Sequence, residues 1–286
     1  MKITEIINGS KPSLSFEVFP PKTTDKYESV SNAVKEIAAL NPSYISVTYG
    51  AGGGTSEYTS KIAKEVQSLG ITSLAHLSCI SSTRAMVRNE LNNLNEFGIE
   101  NILALRGDIP KQCDKETLEF HYAYELIDEI KKLGDFCIGG ACYPESHPES
   151  PSPDKDLEYL KLKVDCGCDF LTTQMFFDNG IFYSFVDKLS KIGVTVPIVA
   201  GLMPITSVSQ LEKIVFLSGN SLPASFMKIV DEYQYDPVSF RSASVEYTIK
   251  QALEIYANGF RAVHIYTMNK PSVAIEIKNN LLEVIK

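Results

Sequence analysis

No two cysteines in this chain have the C-x-x-C spacing of a zinc or redox site, and no His-rich tract lies near any of the six. Cys166 and Cys168 flank a single glycine at a helix end, a poor frame for tetrahedral ligation. The thiols at 79, 113, 137, 142, 166 and 168 therefore read as plain reduced cysteines. Histidine is also scarce: His76, His121, His147 and His264 are scattered, which disfavours a metallohydrolase, and no metal is expected. No apolar stretch approaches the ~20 residues that span a bilayer, and the first residues lack a signal-peptide pattern. Basic charge is in deficit, 27 Lys and Arg against 35 Asp and Glu for a net charge of −8. Non-specific nucleic-acid binding is disfavoured, and an anionic ligand would need local cations. A P-loop ending in G-K-[ST] is missing, and no convincing G-x-G-x-x-G precedes a downstream acid.

What is present is an alternation. Eight short apolar runs, at 14–19, 44–50, 73–79, 101–108, 137–145, 170–178, 197–204 and 262–269, mostly end in a polar side chain. Between them lie stretches of helical periodicity, such as Val30, Val34, Ile37 and Leu40. Helices are expected over 2–8, 27–40, 57–69, 83–97, 117–132, 153–166, 179–191, 207–217, 223–232, 237–258 and 271–285. Eight strand–helix alternations in 286 residues predict one α/β domain, residues 1–286. It would be a (β/α)₈ TIM-type barrel with extra helices before the last strand. Hydrophobic residues, 44 % of the chain, suffice for a core of that size and exclude disorder. A cytoplasmic enzyme fits this composition.

Reactive groups of such barrels gather at the C-terminal ends of the strands. There the sequence places Glu17, Thr48, His76, Asp108, Tyr143 and Gln174. Glu17, in SFEVFPPK, points opposite to Phe16 and Val18; a desolvated carboxyl is a candidate general acid, and a buried ion pair is the alternative. Arg106, Gly107 and Asp108 offer a cation, a bare backbone and an acid, although a structural Arg–Asp pair reads equally well. His76 alone is more often a core histidine. Tyr143, Glu145 and His147 alternate between Pro144 and Pro148, where they could meet a phosphate or ribose or form a surface loop. Asp156, Tyr159 and Lys163 share one helix face. TYGAGGGTS is either a backbone cradle for phosphate or a flexible loop at the barrel mouth.

Taken together, SFEVFPPK, ISVTYGAGG, AHLSC, LALRGDIP, YPESHPE, LKLKVDCG, TTQMFFD, AGLMPI and HIYTMN resemble the catalytic barrel of the 5,10-methylenetetrahydrofolate reductase family, in its short bacterial form. The resemblance implies FAD at the strand ends and reduction of methylenetetrahydrofolate to methyltetrahydrofolate. It implies FAD contacts from Thr48, His76, Arg106, Gly107, Asp108, Tyr122, Ala123, Tyr143, His147, Asp156 and Lys163. Glu17 would be the acid for the folate N10. Asp108 would stabilise positive charge, and Gln174, Gln210 and Lys270 would help hold the folate. NADH is the implied reductant, with NADPH, a ferredoxin or a partner redox subunit as alternatives; a homo-oligomer is left open.

This chain departs from the family pattern at four of these places. Ile214 stands one turn after Gln210, where an aromatic stacks on ligand, and Lys270 stands where an arginine is familiar. Tyr159 and Leu162 replace polar flavin-contacting residues. Competing classes are a flavin-free barrel lyase or hydrolase and a subunit of a larger complex. A Schiff-base aldolase would need a lysine ending a strand, and none is placed there.

Overall fold

The computed structural model describes residues 1–49, 56–109 and 118–285. The glycine-rich loop and Cys113 lie outside these. Eight parallel strands close into a barrel in sequence order: β1 (Ser13–Val18), β2 (Ile45–Val47), β3 (Ser73–Ser78), β4 (Asn101–Leu105), β5 (Cys137–Cys142), β6 (Phe170–Thr173), β7 (Ile198–Leu202) and β8 (Ala262–Tyr266). The ring is shut by β1 against β8, with Glu17 level with Tyr266 on one side and with Ser46 on the other. All eight expected strands are present. Their side chains alternate as the pleat requires, so Phe16 and Val18 join the layer under the helices while Glu17 turns inward.

The barrel floor is apolar. Tyr44, Leu74, Leu103, Phe170 and Val199 fill it, and the short helix α1 (Ile3–Ile7) plugs it from below with Ile3 and Ile7. Gly139 makes room there, since a Cβ would lie 2.5 Å from the Phe170 ring. Above this floor the interior turns polar, with Ser15, Ser46, His76, Thr172 and His264 all buried. Polar side chains thus gather towards the C-terminal end, where barrels of this kind carry their reactive groups.

Helices α2 (Tyr27–Ala38), α3 (Ser56–Ser68), α4 (Arg84–Glu96), α5 (Ala123–Leu133), α6 (Pro153–Asp165) and α7 (Asn179–Lys191) follow the first six strands. In α6 the Ser152 hydroxyl accepts the Lys155 N–H at 3.2 Å and Pro153 opens the first turn, as the sequence predicts. Helix α5 starts later than the expected residue 117. The Glu125 carboxylate accepts the N–H groups of His121 at 2.6 Å and Tyr122 at 3.4 Å, which caps the helix at Ala123.

Three helices, α8 (Val208–Ser218), α9 (Ala224–Tyr233) and α10 (Pro237–Ala257), separate β7 from β8, and α11 (Pro271–Ile285) closes the ring. α8 and α9 bury a satellite core of Met175, Phe177, Ile205, Leu211, Ile214, Phe226 and Phe240 beside the ends of β6 and β7. Ile214 belongs to this cluster. It is buried, only 9 % exposed, among the aromatic and aliphatic side chains there.

Candidate active site

The C-terminal ends of β3, β4 and β5 and the first turns of α5 and α6 enclose a cavity of about 720 Å³, within the size range of small-molecule and cofactor sites. Nine of the eleven residues expected around a cofactor line it: Arg106, Gly107, Asp108, Tyr122, Ala123, Tyr143, His147, Asp156 and Lys163. Thr48 and His76 do not. Thr48 directly follows β2, its N–H donated to the Val18 carbonyl and its own carbonyl accepting the Thr59 hydroxyl at 2.9 Å. His76 faces the barrel interior beside Glu17.

Gly107 explains the open floor. Its φ is +83°, and a Cβ would fall 2.0 Å from the Ser78 hydroxyl, which donates to the Arg106 carbonyl at 3.0 Å. Both the backbone conformation and the space require glycine. Gly107→Ala is expected to cost ~1–3 kcal/mol of stability through left-handed strain and displacement of Ser78. Urea denaturation checks this, and an unchanged midpoint would contradict it.

Donors converge on the cavity. The Lys163 ammonium reaches the Ala141 carbonyl at 2.6 Å, and burial lowers its pKa from the usual lysine range. Arg106 pairs with Glu149 at 2.6 Å. The His147 Nδ1 accepts the Glu149 N–H at 3.0 Å, which places its ring proton on Nε2 as a donor. Burial, and then the nearby Arg106, lower the His147 pKa below 6.5, so the ring is neutral at pH 7. The Asp156 carboxylate accepts the His147 N–H at 3.1 Å and so fixes this loop to α6. Tyr143 packs edge-on against His147 with centroids 4.6 Å apart, and burial pushes its hydroxyl up to about 12, which keeps it a neutral donor. The set is two cations and two neutral donors around small floor residues, Ala104 and Ala141. It suits a flat ligand bearing anionic groups.

Glu17 sits apart from this lining, on the barrel axis, and is 6 % exposed. One carboxylate oxygen lies 3.5 Å from the Ser46 hydroxyl, 3.6 Å from His76 Nε2 and 3.9 Å from His264 Nε2. The His264 ring bridges two hydroxyls, with Nδ1 2.7 Å from Ser15 and Nε2 3.1 Å from Ser46. Burial drives the His76 pKa down to about 4, so at neutral pH this imidazole is uncharged and forms no ion pair with Glu17. The backbone around Glu17 is fixed as well. The Thr267 hydroxyl donates to the Glu17 carbonyl at 2.6 Å, and the Asn269 side chain clamps the Phe19 N–H at 2.7 Å and carbonyl at 2.9 Å. Sequence reasoning missed Ser15 and Ser46 and treated His264 as one of four scattered histidines. The available signal was the polar side chains at inward positions of otherwise apolar strands.

The remaining expected residues stand around the mouth, outside the cavity lining. The Gln210 side-chain carbonyl accepts from the Thr206 N–H at 2.9 Å and hydroxyl at 2.8 Å, and the Lys270 ammonium donates to the same hydroxyl at 2.6 Å. Gln210 and Lys270 are thus joined through Thr206. Gln174, at the end of β6, instead accepts from the Met175 N–H at 3.0 Å. Glu145 ties the two sides together. Its carboxylate accepts from Asn220 Nδ2 at 2.8 Å and from the Ser221 N–H at 2.9 Å, anchoring the loop after α8 to the Tyr143–His147 loop. Among the described residues no group of His, Cys, Asp and Glu could hold a metal, and no helix is long and apolar enough to cross a membrane.

The family model described as methylenetetrahydrofolate reductase matches residues 2–282. The chain belongs to that family. It is 33 % identical over 270 residues to the 5,10-methylenetetrahydrofolate reductase of Pectobacterium carotovorum, covering 94 % of this chain and 90 % of the relative. Methylenetetrahydrofolate reductase (NADH) 1 of maize is 34 % identical over 295 residues, covering 98 % of this chain but 50 % of the plant protein. Among solved structures, an uncharacterized protein from Clostridium thermocellum that binds two copies of 5-methyl-5,6,7,8-tetrahydrofolic acid superposes with a TM-score of 0.66. At 15 % identity, covering 99 % of this chain and 100 % of that one, it shares the barrel fold. In this methylenetetrahydrofolate reductase family member, Glu17 and Asp108 both stand at the barrel mouth, Asp108 on the cavity wall and Glu17 on the axis.

Proposed function

We propose that the protein reduces 5,10-methylenetetrahydrofolate to 5-methyltetrahydrofolate, with FAD in the cavity beside β4 and β5 and Glu17 as the general acid. The observation that carries this reading is a buried carboxyl whose nearest imidazole, His76, is uncharged at neutral pH, at the mouth of a barrel whose neighbouring cavity gathers Arg106, Lys163 and His147. The donor set fits the group. Arg106 and His147 would take the diphosphate, Lys163 and the bare backbone of Gly107 would meet the flat ring system, and Asp108 would border it.

Glu17 is the proton source. Its protonated carboxyl would give the proton to the folate N10, so that the C–N10 bond breaks and the five-membered ring opens to an N5 iminium. When bound, reduced FAD would supply the hydride for that carbon. Asp108 would oppose the positive charge as it develops. Gln174, Gln210 and Lys270 would orient the folate, with Lys270 giving a point charge where a bidentate clamp is familiar. Thr48 and His76 remain assigned to the cofactor's surroundings by resemblance. NADH is the proposed reductant, in keeping with the maize relative's name, with NADPH or a protein donor as alternatives.

Cofactor identity is the direct test. Heat-released ligand from purified protein should run as FAD on chromatography and carry a flavin spectrum. Folded protein that contains no flavin and takes up none on reconstitution would overturn the assignment.

A further inference from the structure

β1 runs out of strand neighbours just past Glu17. Its pairing with β8 ends at Glu17 and Tyr266, and its pairing with β2 ends at Val18 and Val47. Pro20 and Pro21 follow, and neither has an N–H to give. The turn after β8 holds the chain here instead. The Asn269 amide stands in for a strand, its Oδ1 accepting the Phe19 N–H at 2.7 Å and its Nδ2 donating to the Phe19 carbonyl at 2.9 Å. Two residues earlier, the Thr267 hydroxyl donates to the Glu17 carbonyl at 2.6 Å. The Lys270 N–H closes the turn on the Thr267 carbonyl at 3.1 Å. Both middle residues are left-handed, Met268 at φ +54° and Asn269 at +55°. That region is unfavourable for a side chain such as methionine's. Strain of this kind persists where the surrounding structure enforces it, and it collects at functional sites.

We infer that Asn269 is a positioning residue for the reaction: by holding Phe19 it fixes where the Glu17 carboxyl points. The inference rests on the reading of Glu17 as the acid and adds what aims it. Asn269 does not line the cavity assigned to the cofactor. The carboxyl's own contacts are long, 3.5 Å to Ser46 and 3.6 Å to His76, so its place depends on the backbone that carries it. Proton transfer needs donor and acceptor within hydrogen-bond reach, and a displacement of ~1 Å can cost about 10²-fold.

The test follows the single-turnover reaction of methylenetetrahydrofolate with the dithionite-reduced holoenzyme. Glycine accepts the left-handed backbone, so Asn269→Gly removes both bonds to Phe19 without adding strain. It should slow folate reduction at saturating folate by ~10- to 10²-fold and leave flavin affinity unchanged. Asn269→Asp keeps the acceptor and loses the donor, and should lose less. Added to Glu17→Gln, Asn269→Gly should cost nothing further, because the group it aims then has no proton to give. A wild-type folate rate in Asn269→Gly would overturn the inference. So would an equal further loss in the Glu17→Gln background, which would mark a role independent of Glu17. Near-normal folate reduction by Glu17→Gln alone would overturn the acid assignment itself and this inference with it.

Discussion

Glu17→Gln should keep the flavin, accept electrons from NADH at a near-normal rate, and lose transfer to methylenetetrahydrofolate by ~10²–10⁴-fold. The amide preserves the shape of the side chain and can still accept from Ser46, but it has no acidic proton to give to N10. The competing view is that Glu17 serves a buried ion pair, and the two views differ in stability. His76 is the nearest imidazole, 3.6 Å away, and burial holds its pKa near 4. At pH 7 the substitution therefore strands no cation at that position, and the heavy penalty for breaking a buried ion pair does not arise. Stability should change by no more than ~1 kcal/mol, the net worth of one hydrogen bond. Stopped-flow measurement of each half-reaction, together with urea denaturation, separates the cases. Near-normal folate reduction with a large loss of stability would return Glu17 to a structural role.

The sequence carried the architecture because each strand is a short apolar run with a marked polar end, and each helix has its own cap or period. Ser152–Pro153 before α6 is the clearest example. The start of α5 escaped because its cap is a carboxylate reaching backward, Glu125 to the N–H groups of His121 and Tyr122. Of the nine cavity residues, five were marked by their place in strand ends and loops and two, Asp156 and Lys163, by a shared helix face, whereas Tyr122 and Ala123 came from the family resemblance alone. Contacts made across the barrel were illegible. Ser15, Ser46 and His264 lie on three different strands, and only closure of β1 against β8 brings His264 to Ser15. Glu145 and Asn220 are 75 residues apart, and nothing local marks their bond. Burial of Ile214 was also illegible. Helical spacing puts it one turn from Gln210, and only the folded chain brings Phe226 of α9 into the same buried cluster.

Asp108→Asn should make the bound flavin easier to reduce and, at the same time, a poorer reductant of folate. Asp108 is exposed on the cavity wall at the end of β4, and its charge is felt nearby, since it helps raise the Tyr143 pKa. A reduced flavin carries negative charge, so a carboxylate beside it favours the oxidised form; replacing that carboxylate by a neutral amide must raise the potential. The same replacement removes the negative charge that would oppose the developing iminium. Preorganised electrostatic groups of this kind are worth ~10²–10³-fold, so the folate half-reaction should slow by roughly 10². The two effects run in opposite directions along the electron path, which sets them apart from a general loss of structure. A redox titration and a single-turnover folate assay on the same preparation decide the matter. A potential that stays level or falls would remove Asp108 from the flavin's edge. A folate step slowed with no change in potential would leave it acting on the substrate alone.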